Sequence, residues 1–222
     1  MAEIKTKSVK LNMVMNALLS MSSFIFPLIT FPYVSRILLP IGTGRVAFAT
    51  GVVTYFAMFA QLGIPTYGIR LCAKVRDDKE ELTRAVHELS FINLFMSAIV
   101  YVVFFISLAV VPKFREEHTL LLIIGATILL NALGVEWLYK ALEQYTYITV
   151  RSLIFKAVAL ISTFMLVREP GDCLQYGFLT ILATSASNIL NFINLRKYIY
   201  LKPIGNYHIR RHIKMILVFF SM

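Results

Sequence analysis

Residues 11 to 34 read LNMVMNALLSMSSFIFPLITFPYV and contain no Asp, Glu, Lys or Arg. A helix needs about 20 apolar residues to cross the ~30 Å hydrocarbon core of a bilayer, because each residue adds about 1.5 Å. The 24 residues of this stretch therefore predict one membrane span. They exceed the apolar core of a signal peptide and no A-x-A-like cleavage site follows them, so we expect the span to be retained.

Blocks of similar length recur along the chain. Further apolar stretches follow the first at 46–69, 89–112, 119–135, 147–167 and 173–195. The stretch 147–167 is the weakest of them, because it holds Arg151 and Lys156. Lipid admits only helices or closed barrels, and these blocks are too long and too uniformly apolar for barrel strands. The sequence thus predicts an all-α membrane protein with six transmembrane helices.

The composition agrees with this interpretation. Hydrophobic residues make up 58% of the 222 residues and charged residues 15%, whereas a soluble domain has about 45–50% and about 25%. These values exclude an ordinary soluble enzyme, a disordered chain and a disulfide scaffold. The net charge of +10 is explained by basic loops that meet anionic lipid headgroups, and no segment is long enough for a basic nucleic-acid-binding domain. We therefore expect membrane lipids, and no nucleic acid, as partners.

The distribution of Lys and Arg predicts the orientation. With a cytoplasmic N-terminus and six spans, sixteen of the 22 Lys and Arg residues fall in inner segments and five in outer ones, as the positive-inside rule requires. After Lys214 only MILVFFSM remains, and its eight residues cover about 12 Å of helix. We expect a six-helix lobe over 1–214 and the start of an incomplete seventh helix over 215–222, in part of a longer transporter.

Charged residues inside the spans require an explanation, because each one raises the free energy of membrane insertion by roughly 2.5–3.5 kcal/mol. Lys156 lies within the fifth predicted span. It is either a cavity-facing cation for an anionic substrate, or a side chain that reaches the interface or pairs with Glu136. Glu136 and Lys140 are four residues apart, which is the favourable order for a local ion pair. They form either an interfacial pair anchored by Trp137 or a coupling site with Glu136 as its carboxylate.

Asparagines mark two further helix faces. Asn188 and Asn191 are three apart on the sixth predicted span, and Asn12 and Asn16 are four apart on the first. Such residues either line a wet cavity or hydrogen-bond to neighbouring helices, at about 0.6 kcal/mol per contact. Most of these polar groups lie in the predicted cytoplasmic half, which suits an inward-open vestibule.

No enzymatic signature accompanies these residues. The sequence has no P-loop, H-E-x-x-H or G-x-S-x-G pattern, which excludes the nucleotide-driven classes that carry their own P-loop. Cys72 and Cys173 form no C-x-x-C pair, and His208 and His212 lie in a basic loop without a carboxylate partner. We expect a protein that is not an enzyme and that holds neither a metal nor a cofactor.

Several segments carry a family resemblance: FPLITFPYVSRIL (26–38), QLGIPTYGIR (61–70), AKVRDDKEEL (73–82) and VEWLYKALEQYTYITVRS (135–152). They closely resemble bacterial polysaccharide flippases of the multidrug/oligosaccharidyl-lipid/polysaccharide exporter superfamily. The O-antigen type moves undecaprenyl-pyrophosphate-linked oligosaccharides across the inner membrane. The resemblance implies two six-helix lobes around a central cavity, of which this sequence is similar to the N-terminal one. The second lobe, which alternating access requires, would come from a longer chain or from a homodimer mate.

The resemblance also implies cationic side chains that meet the pyrophosphate in the cavity. Arg36 is the residue carried over, because arginine offers a planar fork of donors for phosphate oxygens; its alternative role is an anchor at the outer interface. Lys156, Arg151 and Arg70 are further candidates. Family members often show L-G-P-x-G just after Arg36, whereas this chain has LLPIG at 38–42 and lacks a turn glycine.

Other functions remain open at this point. A cation-coupled drug antiporter of the same superfamily would favour acidic residues in the cavity, where only Glu136 fits. A membrane-embedded transferase would need carboxylates or histidines that converge at one face, and the predicted outer loops offer Glu116, Glu117, His118, Glu169 and Asp172. The chain is otherwise an inactive or split-gene fragment of such a transporter, or an interaction partner of polysaccharide polymerase machinery.

Overall fold

The computed structural model describes residues 8–221, and its regular structure over that range is helical. In chain order the helices are α1 (Val9–Gln61), α2 (Ile64–Lys74), α3 (Lys79–Val110), α4 (Pro112–Glu116), α5 (His118–Gly134), α6 (Glu136–Ala141), α7 (Tyr145–Leu166), α8 (Cys173–Thr184), α9 (Asn188–Asn194), a 3₁₀ turn at Leu195–Lys197, and α10 (Arg210–Phe220). This architecture confirms the all-α part of the predicted fold class.

Four helical segments of the described chain are long and apolar enough to cross a membrane: Val9–Lys74, Lys79–Val110, Tyr145–Leu166 and Cys173–Lys197. With 17 residues, α5 is a shorter apolar helix. Large apolar side chains such as Phe105, Val110 and Met165 face outward, which suits contact with lipid. The chain is a multi-pass membrane protein, while the count of six crossings and an incomplete seventh stays a prediction.

The backbone of α1 departs from helical geometry at Leu39. There φ is 60° and ψ is 172°, a combination that is populated almost only by glycine. The helix continues through Pro27 and Pro32, and the break comes directly before Pro40. A following proline disfavours helical geometry at Leu39 but favours a negative φ there, so Pro40 alone does not produce the positive φ. Leu39 therefore stands, under strain, at the position of the missing turn glycine.

Replacing Leu39 by glycine is expected to stabilise the protein. Removing the strain gains about 1–3 kcal/mol, whereas glycine costs about 0.5–1 kcal/mol in chain entropy. The Leu39 side chain is half exposed, so little packing is lost. The midpoint of thermal unfolding in detergent measures the gain.

Leu28→Gly is the matched control, because Leu28 is exposed in the regular part of α1. There the substitution is expected to lower the unfolding midpoint, because glycine in a helix interior reduces the free energy of unfolding by about 1 kcal/mol. Equal decreases in the two variants would contradict the strain at Leu39.

Hydrophobic clusters hold the described helices together. One cluster joins α2, α3, α6 and α7 and buries Leu89, Trp137 and Ile148. Another joins α1, α3, α5 and α8 around Val53 and Phe104. Because α1 packs against α3, α5, α7 and α8, the polar side chains on its inner face lie against the bundle rather than against lipid.

The last helix, α10, begins at Arg210 and ends at Phe220. It lies against α2, so closely that a Cβ on Gly63 would stand 2.4 Å from the carbonyl oxygen of Ile216. Only glycine permits this approach of two backbones. This helix continues through residue 214, where the sequence predicts the boundary between the six-helix lobe and the incomplete seventh helix. That division of the chain stays a prediction.

Candidate functional site

Lys156 is buried between α1 and α7, with 7% of its surface exposed. Its Nζ donates hydrogen bonds to Ser22 Oγ at 2.7 Å and to Ser23 Oγ at 3.0 Å. Both serine hydroxyls also donate to the Leu19 carbonyl oxygen. The predicted alternative of a pair with Glu136 does not form, and no carboxylate among residues 8–221 lies in ion-pair contact with Lys156. We call Lys156, Ser22 and Ser23 the lysine site.

The lysine site borders a cavity of about 160 Å³. Its wall is mostly apolar, and the other hydroxyl-bearing side chains along it are Thr30, Thr163, Tyr176, Thr180 and Thr184. An ammonium group in such a wall is poorly solvated, so its attraction for an entering anion is stronger than in water. The arrangement therefore offers an anion a cation with few competing partners.

Arg151 and Glu136 form a second charged group, where α6 and α7 approach α9. The Arg151 side chain is 3% exposed, its Nη1 donates to the Ser187 carbonyl oxygen at 2.8 Å, and its Nη2 lies 3.5 Å from Glu136 Oε2. Lys140 Nζ lies 2.8 Å from Glu136 Oε1, as the four-residue spacing predicts. Lys140 and Arg151 thus balance the charge of Glu136. The Arg151 guanidinium is itself engaged by Glu136 and by the Ser187 carbonyl oxygen.

The predicted asparagine faces separate into buried and exposed members. Asn12 is buried, and its Nδ2 lies 3.5 Å from a carboxylate oxygen in the loop between α6 and α7. Asn16, four residues later, is exposed. Asn188 and Asn191 are both buried, and Asn188 Nδ2 donates to Asn131 Oδ1 at 3.0 Å. Of the two faces, only the one on α9 places both of its asparagines inside the bundle.

A polar cavity of about 240 Å³ lies where the end of α1 meets α2, α3, α5, α6 and the start of α9. We call it the amide cavity, and its polar wall consists of Gln61, Asn93, Asn131, Glu136, Trp137, Lys140 and Asn188. Sequence reasoning singled out Glu136 and Asn188 but missed Asn93 and Asn131. Their position within uncharged spans, in FINLF and LLNAL, was the available signal. Gly134 makes room for Asn188, because a Cβ there would lie 2.4 Å from Asn188 Cγ.

Arg36 and Arg70 lie apart from these sites. Both side chains are exposed, and neither lines the cavity beside Lys156. Arg70 lies over the ring of Phe219 in α10, with Cζ 4.8 Å from the ring centroid. The structure therefore does not gather the predicted cations around one cavity of this chain, and the phosphate-binding role of Arg36 stays a prediction.

A buried carboxylate that sequence reasoning missed lies on α3. Glu88 accepts hydrogen bonds from the His208 backbone N–H, Arg211 Nη2 and His212 Nε2, and His212 Nδ1 lies 2.8 Å from the Tyr67 hydroxyl. The prediction that His212 lacks a carboxylate partner is wrong, because its partner comes 124 residues earlier in the chain. We call these residues the α10 anchor, since they fix α10 to α2 and α3. Within residues 8–221, no group of three or more His, Cys, Asp or Glu side chains is arranged to hold a metal ion.

Three of the four acidic residues of the predicted outer loops take part in local contacts. Glu116 pairs with Lys113, and Glu117 pairs with Arg45 at 2.7 Å. Asp172 Oδ2 accepts hydrogen bonds from two backbone N–H groups of the loop before α8, which holds the pKa of Asp172 below its usual value. These contacts leave the transferase alternative without a converging set of carboxylates.

Comparison with known proteins agrees with the membrane architecture. A family model described as polysaccharide biosynthesis protein matches residues 9–222. An Escherichia coli (strain K12) protein named "Putative O-antigen transporter" is 23% identical over 183 residues, which is 82% of this chain and 44% of that protein. A protein of the same name from Shigella dysenteriae is 25% identical over 189 residues, or 85% of this chain and 47% of that protein. The chain thus spans about half the length of these curated relatives, and no solved structure matches it.

Proposed function

Because the chain belongs to the polysaccharide biosynthesis protein family, we propose that it forms the N-terminal, six-span lobe of a lipid-linked oligosaccharide transporter. Its substrate is an undecaprenyl-pyrophosphate-linked oligosaccharide, such as an O-antigen repeat unit, which crosses the bacterial inner membrane by alternating access. The names of the relatives and the long apolar helices support a transporter rather than an enzyme. The observation that carries the proposal is the buried Lys156 beside its cavity.

The pyrophosphate is the part of this substrate that lipid rejects. Moving a bare charge into an apolar medium is prohibitive, so a carrier must offer charge and hydrogen bonds inside the membrane. Lys156 supplies a positive charge that no described carboxylate cancels, and the hydroxyl-bearing wall of its cavity supplies further polar groups. The polyprenyl tail stays in lipid, along the apolar exterior of the bundle.

The exposed face of α1 supports a second lobe. In the most apolar window of the segment that contains α1, 11% of the residues are buried, compared with 33–39% in the other three candidate spans. A second six-helix lobe, supplied by a longer chain or by a homodimer mate, would cover this face and complete the cavity. Arg36 is exposed on α1, so in such an assembly it meets the pyrophosphate from this face. The excess of basic residues in the predicted inner loops supports a cytoplasmic N-terminus.

The acidic residues disfavour a cation-coupled drug antiporter. Such a carrier needs a carboxylate that is free to bind a proton or a cationic drug. Glu136 is instead engaged by Lys140 at 2.8 Å and by Arg151 at 3.5 Å, and Glu88 is engaged in the α10 anchor. Lys156 has no carboxylate partner among the described residues, which favours an anionic substrate.

Complementation tests the proposal directly. The 222-residue chain is expressed in a strain that lacks its O-antigen flippase, and surface polysaccharide is measured at a confirmed membrane level of the protein. Restored polysaccharide would support a working homodimer, in which Arg36→Ala is expected to impair export and leave membrane insertion intact. Absence of polysaccharide at normal membrane levels would contradict a working homodimer. The same test on a chain that also carries a second lobe then separates a transporter lobe, which restores polysaccharide, from an inactive fragment or a partner of the polymerase machinery, which does not.

A further inference from the structure

The amide cavity presents an unusual set of polar groups. Asn93 comes from α3, Asn131 from α5 and Asn188 from the start of α9, so three helices converge to place amides on one wall. Asn93 and Asn188 are 2% and 6% exposed. Buried amides cost free energy unless they are hydrogen-bonded, so their convergence on a cavity of about 240 Å³ points to something that occupies it.

One N–H of each of two cavity amides is engaged, and the carbonyl oxygens of the same amides are not. Asn93 Nδ2 donates to the Ala132 carbonyl oxygen at 3.4 Å, and Asn188 Nδ2 donates to Asn131 Oδ1 at 3.0 Å. Asn93 Oδ1, Asn188 Oδ1 and Trp137 Nε1 are buried without a hydrogen-bond partner among the described residues. These three atoms belong to residues of the cavity wall but have no surface exposed to its open space, so a ligand reaches them after small rotations of the side chains. It then meets two carbonyl acceptors, one indole donor and the remaining amide N–H groups.

The charges around the cavity select the ligand class. A cation would meet Lys140, which lines the wall and pairs with Glu136. An anion would meet two amide carbonyl oxygens and the Glu136 carboxylate, which repel it. A neutral molecule whose groups both donate and accept satisfies the two carbonyls and the indole together, and hydroxyl groups are of this kind.

We propose that the amide cavity binds a neutral, hydroxyl-rich sugar unit of the transported glycan, separately from the lysine site that receives the pyrophosphate. This inference rests on the proposed function and adds the part of the substrate that each site recognises. Sugar hydroxyls donate to Asn93 Oδ1 and Asn188 Oδ1 and accept from Trp137 Nε1.

The test uses Asn93→Leu and Asn188→Leu in the full protein. Leucine has a shape similar to that of asparagine and removes the free carbonyl. It also removes the donor to Asn131 Oδ1 in Asn188→Leu and the donor to the Ala132 carbonyl oxygen in Asn93→Leu, a structural cost that affects both probes equally. Asn16→Leu is the matched control, because Asn16 is exposed and does not line the cavity. Each protein is purified and titrated with two probes, a polyprenyl pyrophosphate that carries one oligosaccharide repeat unit and the same lipid pyrophosphate without sugar.

We expect each cavity variant to bind the glycosylated lipid about five- to tenfold more weakly, the effect of one lost hydrogen bond. Affinity for the bare lipid pyrophosphate is expected to stay within about twofold, and Asn16→Leu to resemble the wild type with both probes. The ratio of the affinities for the two probes separates sugar recognition from folding, since a misfolded variant loses affinity for both probes.

Distinct results would overturn the inference. Unchanged affinity for the glycosylated lipid in both variants would mean that water alone fills the cavity. Equal losses for both probes would assign the asparagines to structure or to the pyrophosphate. A thermal stabilisation by Na⁺ over K⁺ that Asn188→Leu abolishes would assign a cation site instead. A wild-type protein that binds neither probe would overturn the proposed function itself, which is a different failure from wild-type binding that the variants do not change.

Discussion

Lys156→Met is expected to lower polysaccharide export roughly 10- to 100-fold in cells whose export depends on this protein. A hydrogen bond to a charged group contributes about 1.5–3 kcal/mol, and each ~1.4 kcal/mol is a factor of ten. The Lys156 charge borders the cavity without a carboxylate partner among the described residues, and no other described Lys or Arg lines that cavity to compensate for its loss. Export is measured as surface polysaccharide per cell at matched protein levels.

The fold is expected to survive this substitution. Ser22 and Ser23 keep their hydrogen bonds to the Leu19 carbonyl oxygen, and a buried charge is removed rather than created. Membrane levels and the unfolding midpoint should therefore equal or exceed those of the wild type. Lys113→Met, at an exposed pair with Glu116, is the control and should export normally. Normal export by Lys156→Met would remove the lysine site from the mechanism.

The sequence was sufficient to find Lys156 but not its surroundings. A charge in an apolar block is visible without a structure, because its cost in lipid is independent of its neighbours. The Ser22 and Ser23 hydroxyls that hold it lie more than 130 residues away, and sequence spacing carries no information on contacts of that range. For the same reason Glu136 was offered as a partner, since it is close in sequence, whereas the structure pairs it with Arg151 and Lys140.

Two further features of the structure were not predicted from the sequence: the backbone geometry at Leu39 and the amide cavity. The missing glycine at Leu39 was visible in the sequence, but the positive φ that Leu39 adopts there was not. Asn93 and Asn131 carry no periodic pattern, and only the convergence of α3, α5 and α9 gives them a common wall. All-helical architecture was predictable, because long apolar blocks leave the backbone no other way to satisfy its hydrogen bonds in lipid.

Glu88→Ala is expected to destabilise the protein by about 1–3 kcal/mol, the usual effect of leaving buried hydrogen-bonding groups without their partner. The Glu88 side chain is 0% exposed and receives Arg211 Nη2, His212 Nε2 and the His208 backbone N–H. Alanine leaves these donors without an acceptor, so α10 should detach from α3. The unfolding midpoint in detergent and proteolysis within 201–209, the loop before α10, measure the effect. Glu80→Ala, at an exposed position in the first turn of α3, is the control and should change neither.

A double-mutant cycle separates the α10 anchor from a general effect of the lost carboxylate. His212 contacts both Glu88 and Tyr67, so His212→Ala removes one of the donors that Glu88→Ala would strand. In the His212→Ala background the further loss from Glu88→Ala should therefore be smaller, by about 0.5–3 kcal/mol for groups in direct contact. Equal losses in the two backgrounds would show that Glu88 acts alone, and α10 would then be held by its apolar contacts with α2. The smaller loss is expected, because the His212→Ala background already lacks one of the donors that Glu88 accepts from.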